Sequence, residues 1–306
     1  MAARPRPRRR PAALGRALTP YLFVLPAAVF LLALVVYPML YNIQLSFRDV
    51  TAGTLLSGAA QWAGFDNYRE ILADPTFGTA VLNSIVFTFT SIVFQAGVGM
   101  ALALFYQREF PGSRTMGSLY LIAWAVPVVV SGAVFRWLLD GRFGVINWAL
   151  RSAGLSSGAT PWLAEPDKAL AAVIFVNVWL GVPFNMVLLL AGLRGIPKEL
   201  HDAASVDGAG AWRRFRHITI PLLRPAFFAV LMLGLIYTFR VFDLIWTMTR
   251  GGPVDATQVL PTYAFELVFQ QFRFGQGAAV MNVLFVVLFV LSLGYLRTLR
   301  REEAPA

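Results

Sequence analysis

Six long apolar runs divide the chain, at 21–41, 81–106, 119–139, 169–193, 226–248 and 278–296, with charged or Gly/Pro-rich sequence between them. An α-helix rises about 1.5 Å per residue, so about 20 apolar residues cross a hydrocarbon core of about 30 Å. Each run meets that length. The pattern predicts an all-α integral membrane protein with six transmembrane helices. Its layout is a basic tail at 1–20, a six-span body at 21–296 and a short tail at 297–306.

Composition agrees with lipid as the solvent. Of 306 residues, 58% are hydrophobic and 14% charged, and mean hydropathy is +0.64. A soluble domain carries about 25% charged residues. There is no cysteine, which excludes disulfides, thiolate metal sites and cysteine nucleophiles. The two histidines, His201 and His217, are too few for a metal centre or a general-base array. No metal site and no catalytic residue is expected.

The net charge of +10 is unevenly placed. With the amino terminus inside, 17 of the 26 basic residues fall in inner segments and 7 in outer ones. Arg136 and Arg240 fall within spans. That bias satisfies the positive-inside rule, and an even number of spans returns the carboxyl terminus to the cytoplasm. The first run ends in Tyr37-Pro38-Met39 without a small-residue cleavage site, so it reads as a signal anchor. The Arg-rich start carries no aromatic or folded module, which points to anionic lipid as its partner and not to nucleic acid.

One inner segment, 195–225, is long and patterned. Pro197 suits a first helical turn. Leu200, Ala203 and Ala204 then share a face, with Glu199 and Asp202 beside them. Gly208 is placed to end this helix with a positive φ. A second basic, amphipathic piece at 211–218 follows, and Pro221 and Pro225 set off the fifth span.

The order Asp202-Ala203-Ala204, three residues, Gly208, nine residues, Ile218, one residue, Ile220-Pro221 closely resembles the EAA loop of bacterial ABC importer permeases. There the motif begins Glu-Ala-Ala and ends Leu-Pro, so Asp202 and Ile220 are conservative departures. The resemblance implies a cytoplasmic coupling helix that docks on an ATPase subunit. Asp202 is then its acidic contact with Glu199 nearby, Ala203 and Ala204 the close-packing face and Gly208 the turn.

A wider likeness covers almost the whole chain. Gly64-Phe65-Asp66-Asn67-Tyr68, Phe143-Gly144-Val145-Ile146-Asn147, Asn177-Val178-Trp179-Leu180-Gly181 and Gly251-Gly252-Pro253 resemble, in order and spacing, pieces of the maltose-type carbohydrate permeases. This family has the type I importer fold. It implies a bacterial inner-membrane subunit that forms half of a heterodimeric pathway with a second permease. It also implies two copies of an ATP-binding subunit, which use ATP and Mg²⁺, and an extracytoplasmic sugar-binding protein. The chain carries no G-x-x-x-x-G-K-[ST] sequence of its own. It is expected to bind no cofactor and catalyse nothing.

The fourth run contains Asn177, Gly181 and Pro183, features that interrupt a helix and free backbone groups at membrane depth. By similarity, sugar contacts map onto Trp124, Asn177, Leu180, Gly181, Phe184, Tyr237 and Thr238. Small and polar residues also serve helix packing. No charged cluster among these positions demands an anion, which favours a neutral sugar such as trehalose or maltose over glycerol phosphate-type substrates. Arg136, Arg240 and Asp243 are charges within spans, costly at about 2.5–3.5 kcal/mol each near the centre. Arg240 and Asp243 are spaced i, i+3 on one expected helix and are placed to pair. A proton relay there would describe an ion-coupled secondary transporter, a reading that gives the EAA-like loop no purpose.

Overall fold

The computed structural model describes residues 13–303 except Glu109 and Ser157. Much of the expected 1–20 tail and the end of the 297–306 tail therefore lie outside the described residues. From the amino end, α1 (Ala13–Leu31) passes through a π-helical turn at Leu32–Val36 into α2 (Tyr37–Ser46). A loop region holds β1 (Arg48–Asp49), α3 (Ala52–Ser57), β2 (Gln61–Trp62) and α4 (Asp66–Ala73), and β1 pairs antiparallel with β2. Then come α5 (Pro75–Gln107), α6 (Ser113–Ala125), α7 (Val128–Leu138), α8 (Val145–Ser152) and α9 (Pro166–Arg194). The chain finishes with α10 (Lys198–Val206), α11 (Ala211–Arg214), α12 (Ile220–Phe239), α13 (Asp243–Met248), α14 (Leu260–Phe269) and α15 (Phe274–Glu303).

Among the described residues, five helical stretches are long and apolar enough to cross a membrane: Tyr21–Ser46, Pro75–Gln107, Pro166–Arg194, Ala211–Phe239 and Phe274–Arg297. The third expected span is different. Its two halves, α6 and α7, are bent by 95°, so a straight helix over 119–139 is wrong. The cause is Pro127, which forces Val126 into an extended conformation (φ −72°, ψ 130°) and ends α6 there. Counted as one crossing, the bent pair brings the total to six.

The fifth expected span, 226–248, is also overturned in its second half. Its helix stops at Phe239 and α13 starts only at Asp243. Arg240 and Asp243 therefore do not share a helix. Among the described residues the ion pairs are Arg69–Asp66 and Lys168–Glu165; Arg240 instead lies over the Tyr237 ring, 5.4 Å from its centroid. Both charges are exposed, and with Arg136 in the last turn of α7 they stand at helix ends. The inner piece at 211–218 is a further correction. It is not a separate helix but runs through a π-helical turn, Phe215–Thr219, into α12, and the helix continues past both Pro221 and Pro225.

Helices α5 and α9 form the central pair, and α12 packs against both. One apolar cluster, with Leu189, Leu193 and Leu223, ties α9 to α12 at one end of the bundle. At the loop-rich end, Val173, Val176, Leu244 and Ile245 join α9 to α13. There too, Ile71, Tyr263 and Leu267 tie α4 to α14 and α15. The first helix stands apart: Phe23, Phe30 and Leu34 are exposed, while α2 reaches α15 through Asn42 Nδ2, which donates to Asn282 Oδ1 at 2.8 Å.

The short sequence pieces of the loop-rich end are hydrogen-bonded pins. Asn67 Nδ2 donates to the carbonyls of Ser46 and Arg48, at 2.9 Å each. Asn147, fully buried, donates to Thr160 O at 2.9 Å and accepts from Trp162 Nε1 at 3.0 Å. Gly251 has φ +88° and lies so close to the Gln258 amide that a Cβ would collide with it. Asn83 Nδ2 reaches across from α5 to Gln258 O at 3.0 Å.

Candidate functional site

The bend at Pro127 and the break after Phe239 shape one cavity of about 410 Å³. Helix α5 contributes Gln95, the α6–α7 bend Trp124, Val126 and Val128, and α9 Asn177, Leu180, Gly181, Phe184 and Asn185. Gly234, Tyr237 and Thr238 of α12, with Val241 just beyond it, complete the wall. All seven positions named from the sequence are thus brought around the same space.

Chemically the wall is an aromatic arc with amides between. Trp124 and Phe184 have centroids 5.8 Å apart, and Phe184 meets Tyr237 edge-on at 6.3 Å. Trp124 and Tyr237 are more than half exposed, which leaves ring surface for a ligand. Asn177 is 7% exposed and its Nδ2 has no hydrogen-bond partner. A buried donor left open costs about 1–3 kcal/mol, and a ligand hydroxyl or a water is what such a group accepts as partner. No Asp, Glu, Lys, Arg or His lines the cavity.

Sequence reasoning missed Gln95 and Asn185. Their signal was available: each is an amide within an apolar span, where polar side chains are rare and seek a buried partner. It also missed the bend that places Val126 and Val128, although Pro127 marks it.

At the other end of the bundle, α10 projects with no buried residue. Pro197 is its N-cap (φ −57°, ψ 130°), one place earlier than the first turn. Gly208 has φ +78°. Ala209 N donates to Ala204 O at 2.8 Å and Gly208 N to Ser205 O at 3.1 Å, the bond pair of a Schellman motif. Arg214 clamps the turn after α10 by donating to Ser205 Oγ and, at 3.3 Å, to Ala209 O. Glu199, Asp202 and Ala203 are exposed and Ala204 half-buried. Leu200, Val206 and Trp212 also stand exposed, so the projection offers apolar surface beside its carboxylates. His201 and His217 lie in this segment, and among the described residues no three His, Asp or Glu side chains group to hold a metal.

The model of the family described as binding-protein-dependent transport system inner membrane component matches residues 95–299. The chain belongs to that family. It is 36% identical over 298 residues to the diacetylchitobiose uptake system permease protein DasB of Streptomyces coelicolor, covering 97% of this chain and 91% of that protein. It is 32% identical to the trehalose/maltose transport system permease protein MalF of Thermococcus litoralis, over 90% of this chain and 92% of that one. A solved bacterial ABC transporter that imports alginate superposes with a TM-score of 0.81 at 23% identity, covering 94% and 97% of the two chains. The chain is therefore a multi-pass, non-catalytic permease subunit of a sugar ABC importer, with the importer permease fold.

Proposed function

We propose that this permease carries a neutral disaccharide, of the trehalose, maltose or diacetylchitobiose kind, through the cavity between α5, α6, α9 and α12. The observation that carries the reading is the pairing of an aromatic arc with an unpartnered Asn177 amide in a wall that bears no formal charge. Sugars present C–H faces that stack on rings and hydroxyls that pair with amides, and about 410 Å³ lies within the range of small-ligand sites. A phosphate-bearing substrate finds no cation there. Two relatives are named for the uptake of diacetylchitobiose and of trehalose/maltose, which supports the disaccharide class, while a third is named for sulfoquinovosyl glycerol.

The subunit forms half of the pathway, beside a second permease. The loop-rich end faces outward to receive a liganded binding protein, and the α10 projection faces the cytoplasm with both termini. There Asp202, Glu199, Ala203 and Ala204 dock on a separate ATPase subunit, two copies per importer, which uses ATP and Mg²⁺. The docking must differ between two conformations for the loop to act as a lever. Purification of the tagged chain with its partners, followed by ATPase assays with binding protein and each sugar, tests the reading. The expected result is turnover that rises for one neutral disaccharide. Uptake by the lone chain on an ion gradient overturns it.

A further inference from the structure

The crossing of α5 and α9 contains two glycines, each set against an amide-bearing residue of the other helix. On α5, Gln95 and Gly99 are spaced i, i+4; on α9, Gly181 and Asn185 are spaced the same way. The Gln95 amide fills the space that a Cβ on Gly181 would occupy. In return Asn185 presses on Gly99, where an added Cβ would stand 2.7 Å from Asn185 Cβ. Glycine lets membrane helices approach this closely: Gly181 receives the Gln95 amide, and Gly99 receives the Asn185 Cβ and backbone.

These amides are also bonded. Gln95, only 4% exposed, donates from Nε2 to Asn177 O at 2.9 Å. Asn185 Nδ2 donates to Gly181 O at 2.8 Å. Between the two bonds sits Pro183, inside α9, whose missing N–H deprives the Trp179 carbonyl of its helical donor. The weakened turn of α9 is thus bracketed by side-chain amides, and it is the turn that carries the cavity residues Asn177, Leu180, Gly181 and Phe184. Asn177 has its carbonyl held by Gln95 while its own Nδ2 is open. One turn above Gln95 on α5, Ser91 Oγ is likewise buried without a partner.

We infer that Gln95 is a positioning residue for sugar selection: it fixes the backbone of Asn177, a cavity-lining residue whose amide donor is buried and unpartnered, and its own amide lies over Gly181. This rests on the reading of the cavity as the sugar path. Gln95 acts through Asn177, and its loss lowers the sugar moved while leaving the cytoplasmic coupling loop untouched.

The test uses the full importer, with second permease, ATPase and binding protein, in proteoliposomes. Sugar uptake and ATP hydrolysis are measured together for maltose, trehalose and diacetylchitobiose. Gln95→Met keeps length and packing over Gly181 and removes the donor; Asn177→Ala removes the open amide itself. Both variants are expected to lower sugar moved per ATP by about 5- to 10-fold, the scale of one neutral hydrogen bond, with binding-protein-stimulated ATP hydrolysis retained. Gln95→Asn, which is shorter but keeps a donor, is expected to recover part of the ratio. Retained hydrolysis shows that the variants insert and assemble, which a misfolded permease would not allow. If Asn177→Ala lowers the ratio and Gln95→Met does not, Gln95 is packing alone and the inference falls. If neither variant changes it, the cavity is not the sugar path, and the reading beneath the inference falls as well.

Discussion

Single residues at the loop-rich end hold segments that sequence places far apart. Tyr263 Oη donates to Asp74 Oδ2 at 2.7 Å, and Thr76 N donates to Asp74 Oδ1 at 2.8 Å. Burial pushes the Asp74 carboxyl up, but these hydrogen bonds and the Arg273 charge outweigh it and hold the group below its ordinary value. Tyr263→Phe removes a hydrogen bond to a carboxylate and is expected to cost about 1–2 kcal/mol of stability, read as a lower melting midpoint in detergent. The folded-state value is depressed, so the contribution is present in full above the unfolded value, near pH 4, and is lost as pH falls through the folded one. The gap between wild type and variant is therefore expected to hold from neutral pH down to about 5 and to shrink below about 4. Equal midpoints at pH 7 would remove Asp74 from the account. The residue scale also shows what the sequence could reveal. Trp124, Asn177 and Tyr237, named through resemblance, fall around one cavity. Gln95 was visible only as an amide in an apolar span; its contact with Gly181, 86 residues away, is something no pattern within one helix shows.

At the scale of elements, long apolar runs were readable and their interruptions were not. Hydropathy counts residues; it does not see that Pro127 ends one helix while Pro183 sits inside another. The difference is packing. Helix α9 is held along its length by α5, with amides bonded to its carbonyls around Pro183. None of the described side chains of α6 before Pro127 is fully buried, so α6 is held less firmly than α9. Charge gave a signal that was misread: Arg240 and Asp243 mark the break between α12 and α13, not a pair within one span. The turn that ends α10, by contrast, was legible, because it depends on local chemistry at Gly208. Proline at 208 cannot take φ +78° and lacks the N–H that bonds Ser205 O. Gly208→Pro, and separately Ala203→Trp, are expected to lower sugar-stimulated ATP hydrolysis by about tenfold or more, equivalent to 1.4 kcal/mol of docking, with membrane insertion unchanged. Unimpaired hydrolysis in both would separate this projection from the ATPase.

The whole molecule has two ends of different character, and its orientation decides what each can do. One end gathers α3, α4, α8, both short strands and the Gly251–Pro253 turn, densely pinned by Asn67, Asn83 and Asn147. The other presents α10 and the basic residues around it. Positive charge is retained on the cytoplasmic side of a membrane, so the proposed orientation has α10 inside and the pinned loops outside. The chain has no cysteine, so single-cysteine variants report orientation without background. Val254, 89% exposed at the pinned end, and Val206, 88% exposed on α10, are suitable positions, since neither side chain is needed for packing. In intact spheroplasts, a membrane-impermeant maleimide is expected to label Val254→Cys and spare Val206→Cys; permeabilisation is expected to expose both. The reverse pattern would place the loops in the cytoplasm, out of reach of a sugar-binding protein, and would put the α10 projection where no ATPase could meet it. The same two labels also test the count of crossings. Between Val206 and Val254 the chain passes through α12 alone as a long apolar helix, so opposite labelling requires that α13 turn back without crossing. Labelling of both positions from the same side would instead contradict a single crossing by α12.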